Sequence, residues 1–248
     1  MINEVRNTVL AILNKNNYGY ISPSDFNLYA ANAQMELYEE YFSSYNKVIN
    51  SENARLSGTG YADIEGPLAE TLETFLQIDK LTQIADNKYS VPSIYTTGYS
   101  AYMINKIVCY DADTNAKLGE AEKTSNTSIS MLISSNLTAP SIEYPAYTLV
   151  QNAIYVYPES INGPDSLECS YFRHPKTPKW TYISLSNGEP AFDQSQSDYQ
   201  DFELPNEDGY KLTTKILEYC GMSIREMEVT QFGMTQQAHE QPTFSVQQ

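Results

Sequence analysis

The sequence predicts an α+β fold, in which helices from the N- and C-terminal parts pack around a central, mainly antiparallel β region. Apolar residues near both ends of the chain recur at spacings of three and four, which places them on one face of a helix. In the middle of the chain, runs of β-branched and aromatic residues are separated by turn residues, as is typical of strands.

These patterns divide the 248 residues into five parts. A chain of this length holds one large domain or two small ones. The parts are a helical region at 1–87, a β-rich region at 88–183, an irregular acidic segment at 184–205, a second helical region at 206–240 and a tail at 241–248.

Three helices are predicted in the N-terminal part. The start signal of the second is the strongest, because the Ser22 hydroxyl can accept a hydrogen bond from a free N–H of the first turn. Pro23 follows it at the position where a missing N–H is harmless. The predicted helices run from about Asn3 to about Leu13, from Ser22 to about Tyr45 and onward from Pro67, where Leu68, Leu72, Phe75 and Leu76 repeat the helical spacing. A loop is predicted at 46–66.

Strands are predicted from Tyr89 onward. The segments on either side of Gln151 and Asn152 read as a tight hairpin, because Asn tolerates the left-handed backbone that such turns require. A short helix is expected over Ser125–Ser134 between the strands. Four prolines and an acidic run predict an irregular, exposed segment at 175–205.

The C-terminal part is predicted to begin with a helix. Asn206 is a plausible cap for it, and Gly221 is a plausible end. The Gln-rich residues after Gln231 have two open interpretations: an arm that orders on docking to a neighbour, or a disordered terminus.

The charge of the chain excludes several classes of function. It holds 31 acidic and 15 basic residues, a net charge of −16. Nucleic-acid binding depends on cations that displace the counterions of the phosphates, so sequence-specific DNA or RNA recognition is not expected. Attachment to an anionic membrane is disfavoured for the same reason, and no apolar stretch is long enough to span a bilayer. Three widely spaced cysteines indicate reduced core residues and assembly in a cytoplasm.

One segment has the spacing of a calcium-binding loop. Its oxygen ligands would be Asp111, Asp113, Asn115 and, at position 12, Glu122. Two features oppose this interpretation: Ala116 occupies the position that needs glycine, and a predicted strand precedes the loop in place of a helix. A solvated hairpin loop is the alternative, because Asp and Asn stabilise turns through bonds to their own backbone. No metal is therefore favoured.

No pattern of reactive residues stands out. The two histidines, His174 and His239, lie in no metal-binding or nucleophile motif, and no serine has the frame of a hydrolase nucleophile. We therefore predict no enzymatic activity and no cofactor. An activity that is lost on changing a specific carboxylate or His174 would revive an enzymatic interpretation.

Four aromatic residues are candidates for contacts with a partner: Trp180, Tyr182, Phe232 and Phe244. Trp180 is the single tryptophan, and buried tryptophans dominate interface energetics. The other interpretation of Trp180 is that it covers the edge of its own sheet.

Three segments together resemble a known class of structural protein. They are NKNNYGYISPSDFNLYAANAQMELYEEYF, the region YTLVQNAIYVYPESI with CSYFRHPKTPKW, and FELPNEDGYKLTTKILEYCGMSIRE. They are similar to structural proteins of crAss-like and related podophages, of the kind that forms connector rings between portal and tail. The segments cover about a third of the chain, in the family's order, and contain no catalytic signature.

The resemblance implies a non-enzymatic virion protein at the head-to-tail interface, made in the host cytoplasm. Its partners would be further copies of itself in a closed ring of about twelve subunits, the portal protein and the adjacent ring or tail proteins. DNA would be a passing polymer, because an acidic wall gives it nothing to adhere to.

A different class of function is a surface-recognition module on the virion. Its exposed tyrosines would stack on host glycans, with or without calcium at the Asp111 loop. The two hypotheses differ in stoichiometry, because a connector forms a large closed ring with the portal, whereas a recognition module forms a small oligomer that binds cell-surface material.

Overall fold

The computed structural model describes residues 1–15, 21–54, 65–112, 114–186 and 188–224. These residues form two compact units. The helical unit comprises the described residues up to Thr71 and from Pro175 onward, and the sheet unit comprises Leu72–His174. The predicted tail at 241–248 lies outside the described residues.

The described residues contain helices and strands in an α+β arrangement, as the sequence predicts. The α-helices are α1 (Ile2–Lys15), α2 (Pro23–Ala54), α3 (Glu65–Glu73), α4 (Asn126–Ile133) and α5 (Gly209–Ile224), with a 3₁₀ turn at Asn206–Asp208. The strands are β1 (Leu76–Lys80), β2 (Gln83–Ala85), β3 (Lys88–Ser90), β4 (Ala101–Tyr110), β5 (Lys117–Lys123), β6 (Ala146–Val150), β7 (Ala153–Tyr157), β8 (Leu167–Arg173), β9 (Tyr182–Ser184) and β10 (Pro190–Phe192).

The core of the helical unit is built by α1, α2 and α5. Each helix buries apolar residues three or four positions apart, which is the spacing that forms one helix face. They are Ile2, Val5, Val9 and Leu13 on α1, Phe26, Ala30, Ala33 and Leu37 on α2, and Leu212, Ile216 and Leu217 on α5. Ser22 caps α2 as predicted, because its Oγ accepts the Asp25 N–H at 3.1 Å.

Two side-chain amides of α2 hold the segment that follows the sheet unit. Asn27 Oδ1 accepts the backbone N–H of Trp180 at 2.8 Å, and Asn27 Nδ2 donates to the Trp180 carbonyl. Seven residues further along α2, Gln34 donates to the Lys176 carbonyl at 2.8 Å and accepts the Glu203 N–H at 3.0 Å. A spacing of seven places both amides on one helix face, where they satisfy backbone groups of an irregular segment.

Asp201 ties the same segment to the start of α1. Its carboxylate accepts bonds from the Met1 ammonium at 3.0 Å and from the N–H groups of Ile2 and Phe202, each at 2.8 Å. Burial acts to raise the pKa of Asp201, but these donors outweigh it and the pKa is lowered. Much of the segment at 175–205 is irregular and exposed, as its composition predicts, including residues 182–186 and 194–198. It nevertheless contains β9 and β10, and it buries Trp180, Phe202 and Leu204.

Eight strands form one curled sheet in the order β1-β8-β4-β5-β6-β7-β3-β2. Its pairs are antiparallel except for β5 and β6, which run parallel over two residue pairs. The first and last strands of the sheet, β1 and β2, are consecutive in the chain. The core that the sheet encloses includes Tyr89, Ile107, Ile154, Leu167 and Tyr171.

The predicted hairpin between β6 and β7 is confirmed. Gln151 and Asn152 have φ angles of 48° and 65°, as a two-residue turn of type I′ requires. The short helix predicted at Ser125–Ser134 is also confirmed as α4, and Ser125 caps it by accepting the Ser128 N–H.

Two helices of the N-terminal part end at residues other than those predicted. Helix α2 continues to Ala54, beyond the predicted end near Tyr45, since residues 46–54 contain no glycine or proline. Helix α3 ends at Glu73, because Leu76 begins β1 and pairs with Phe172 of β8. This pairing overrides the helical spacing of the local sequence.

The C-terminal helix also departs from its predicted limits. Asn206 begins the 3₁₀ turn and makes no side-chain cap, and α5 starts at Gly209. Gly221 is buried within α5 and does not end it. A glycine ends a helix only where the backbone turns left-handed.

The sheet unit begins and ends earlier than the predicted β-rich region at 88–183. β1 and β2 precede Tyr89 and add residues at its start. Residues 175–183 belong to the helical unit, where Asn27 and Gln34 bind their backbone.

We predict that Gln34→Leu destabilises the protein by about 1–3 kcal/mol, because leucine fills a similar volume but removes a hydrogen-bond partner from two backbone groups. The matched control is Gln196→Leu in the same segment, where the exposed amide donates to Asp193. Urea denaturation measures both free energies of unfolding. Equal losses for the two variants would contradict the role given to Gln34.

Candidate functional site

The candidate calcium loop forms the turn of the β4–β5 hairpin. Asp111 Oδ1 accepts the Thr114 N–H at 2.9 Å, and Asn115 adopts a left-handed φ of 53°. Glu122 lies well along β5, where its neighbour Ala121 pairs with Ile107. Glu122 thus lies opposite the β4 position that is five residues before Asp111. Measured along the strands, this separates the two residues by roughly 16 Å at about 3.3 Å per residue. One calcium ion, with oxygen ligands at about 2.4 Å, cannot contact both.

Trp180 is buried within its own unit, with 2% of its surface exposed. Its Nε1 donates to Asn3 Oδ1 at 3.0 Å, and the Arg6 guanidinium lies 3.8 Å from the ring centroid. The rings of Tyr182 and Phe192 stack beside it at 5.6 and 5.9 Å. No surface of Trp180 is left for a partner, which corrects the prediction of an interface anchor. Its burial depends on residues from the other end of the chain.

The other three interface candidates have different positions. Tyr182 is 46% exposed and lies on the short β9–β10 sheet. Phe232 and Phe244 lie outside the described residues, as do Asp113 of the calcium-loop candidate and His239.

The side chains with nucleophilic chemistry are used for packing. Cys109, Cys169 and Cys220 are all buried, and burial raises the pKa of each thiol to about 12. A thiol with such a pKa is a poor nucleophile at neutral pH. His174 packs edge-to-face against Tyr102, with ring centroids 5.2 Å apart, and its backbone N–H donates to the Ser100 carbonyl.

Within the part of the chain that the structure describes, no group of three or more His, Cys, Asp or Glu side chains could hold a metal ion. None of its helices is both long and apolar enough to cross a membrane.

A groove of about 660 Å³ lies between α1 and α5. Its walls are mainly aliphatic and threonine side chains, and Glu4 is the one carboxylate among them. Catalysis by acid and base requires two converging groups with different pKa values. The groove does not supply such a pair.

The negative charge is unevenly divided between the two units. Residues 1–71 and 175–248 hold 20 acidic and 9 basic residues, a net charge of −11, whereas residues 72–174 hold 11 and 6, a net charge of −5. One buried cation of the helical unit lies between two carboxylates. Lys215, which is 3% exposed, contacts Glu36 at 3.0 Å and Glu40 at 2.7 Å.

Residues 124–145 of the sheet unit form an exposed segment between β5 and β6 that is rich in apolar residues, and we call this segment the arm. It comprises α4 and the loop that returns the chain to β6. Between Lys123 and Glu143 it contains 19 consecutive uncharged residues, the longest such run in the sequence. Its exposed large apolar residues are Met131 (71%), Ile133 (50%), Leu137 (94%), Ile142 (48%) and Tyr144 (78%).

Both ends of the arm are anchored to the sheet. The backbone N–H of Thr124 donates to the Tyr147 carbonyl, and the backbone N–H of Glu122 donates to the Pro145 carbonyl, each at 2.9 Å. Gly119 permits this close return, because a β-carbon there would lie 3.0 Å from the Glu143 carbonyl oxygen. Within α4, Ile129 is buried and faces inward. The exposure of the arm is thus a property of an ordered, anchored segment.

A second uncharged segment of the sheet unit includes the loop between β3 and β4. Residues 89–105 form an uncharged run of 17 residues, second in length to that of the arm. We define the loop patch as its four exposed large apolar residues, which are Ile94 (67%), Tyr95 (99%), Tyr102 (37%) and Met103 (45%).

The segment that carries the loop patch is held in place by contacts of Thr97 and Tyr99. Thr97 accepts a bond from the Tyr171 hydroxyl at 3.1 Å and donates to the Tyr99 carbonyl. The Arg173 guanidinium lies 4.9 Å from the Tyr99 ring centroid. Tyr95 therefore projects from a segment that its neighbours hold in place.

No protein-family model matches this chain, and a search of curated proteins finds no sequence similar to it. The arm and the loop patch are the surfaces that the sequence reasoning did not single out. Their signal was available, since both coincide with the two longest uncharged runs of a highly acidic chain.

We predict that Gly119→Ala displaces the returning end of the arm and costs about 1–3 kcal/mol, because the new methyl group meets backbone and a proline ring. Hydrogen exchange should show faster exchange of the Glu122 N–H, whose acceptor is the Pro145 carbonyl. Lys117→Ala, an exposed change on the same strand, is the control. Unchanged protection of Glu122 would count against this anchor.

Proposed function

We propose that this chain is a structural virion protein of a tailed phage, a subunit of a ring that joins the portal to the tail and lines the DNA path. The observation that carries the proposal is the combination of a net charge of −16 with an ordered arm that exposes five large apolar side chains. The resemblance of three sequence segments to connector proteins of crAss-like podophages supports the same function.

The charge suits a wall beside passing DNA. A protein binds the phosphate backbone chiefly by releasing condensed counterions, which requires lysines and arginines at the contact. An acidic wall offers no such contact, and its like charge keeps the polymer from adhering. The 11 excess negative charges of residues 1–71 and 175–248 make this part of the chain the better candidate for the channel surface.

The exposed apolar residues suit assembly. Isolated apolar side chains are common on protein surfaces, but a contiguous apolar surface usually marks an interaction site. In the arm, the exposed side chains belong to one anchored segment of 22 residues, in which charge is absent until Glu143. A subunit that works by shape and self-association needs such a surface and needs no catalytic group.

The proposal is tested on intact particles. Electron microscopy with this chain traced in the density should show a closed ring of about twelve copies beneath the portal, and mass spectrometry should find the chain in a fixed ratio to the portal protein. A chain that is absent from the particle, or that occurs as a small oligomer on its outer surface, would refute the connector function. The second outcome would favour the recognition module.

A further inference from the structure

We propose that neighbouring copies of this chain contact each other through two different surfaces, with the arm of one copy packed against the loop patch of the next. The inference rests on the proposed function and adds to it the surfaces that build the ring. The arm is anchored at Gly119 and Thr124, and the loop patch is centred on Ile94 and Tyr95.

Charge favours these two stretches over the rest of the chain for a contact with a second copy. Two copies that each carry −16 repel one another, and repulsion is strongest where their carboxylates are brought together and dehydrated. The two longest uncharged stretches of the sequence are 124–142 and 89–105, and both expose large apolar residues. A contact between these two stretches removes apolar area from water without dehydrating a carboxylate.

A ring requires two surfaces that differ. When a surface contacts its own equivalent, the result is a two-fold dimer, whereas a closed ring needs a patch on each subunit that fits a second patch on the next. The sheet unit supplies one surface from α4 and the loop after it, and a second from the β3–β4 loop and the start of β4. The two surfaces share no residue, so a contact between them joins unlike patches, as in a head-to-tail arrangement.

Both surfaces are ordered before they meet. Backbone bonds hold the two ends of the arm, and Tyr171, Thr97 and Arg173 hold the loop. Ordering flexible segments on association costs free energy, so preformed surfaces gain affinity.

Three full-length variants with the same added charge test the contact. The arm variant is Met131→Asp with Leu137→Asp, and the loop variant is Ile94→Asp with Tyr95→Asp. The control is Leu28→Asp with Ile84→Asp, whose side chains are 59% and 57% exposed outside both surfaces. Circular dichroism first establishes that each variant is folded, and native mass spectrometry with sedimentation velocity then gives its oligomeric state.

We expect the control to assemble like the wild type, and the arm and loop variants each to need at least tenfold higher concentration to assemble. An equimolar mixture of the two variants should form heterodimers, because the intact arm of the loop variant can still pack on the intact loop patch of the arm variant. The heterodimer cannot grow, since its two outer surfaces carry the added carboxylates.

Other results would overturn the inference. Arm or loop variants that assemble like the wild type, a control that loses assembly equally, or a mixture that stays monomeric would each exclude this contact. In these cases the wild-type ring is still present and the proposed function is untouched. A wild-type chain that forms no ring, alone or in particles, overturns both.

Discussion

Mutual repulsion between copies of an acidic chain is the constraint on which this account depends. Each copy carries 16 excess negative charges, and self-association has to overcome their repulsion before any contact contributes. Assembly is then favoured at surfaces where charge is absent and apolar area is exposed. The loop patch and the arm as far as Ile142 meet both conditions, and both belong to the unit with the smaller net charge.

The same abundance of carboxylates affects the interior of the helical unit. Asp201 is satisfied by an ammonium and two backbone N–H groups, and Lys215 is shared by two glutamates. Where a neutral partner suffices, amides are used, as Asn27 and Gln34 show. Neutral amides satisfy an irregular backbone without the dehydration cost of a buried charge. The acidic segment before α5 is therefore tied to the helical core at Asp201, Phe202 and Leu204, although residues 194–198 within it are exposed.

Features set by a few adjacent residues were predictable from the sequence. The Ser22 and Ser125 caps and the turn at Gln151 and Asn152 depend on neighbours within four positions. Features set by distant partners were not. β1 forms because Leu76 pairs with Phe172, and Trp180 is buried because residues near the N-terminus surround it. For α4, the prediction of a short helix is correct. It does not reveal that Ile129 faces inward while Met131 and Ile133 face the solvent.

The dependence of self-association on salt tests the central claim most directly. Raising the ionic strength from 0.1 to 1 M shortens the screening length from about 10 to about 3 Å. If uncharged apolar surfaces join copies that otherwise repel one another, sedimentation equilibrium should show association of the full chain becoming stronger with added salt. Association that weakens steadily with salt would mean that ion pairs hold the copies together, and would contradict this account.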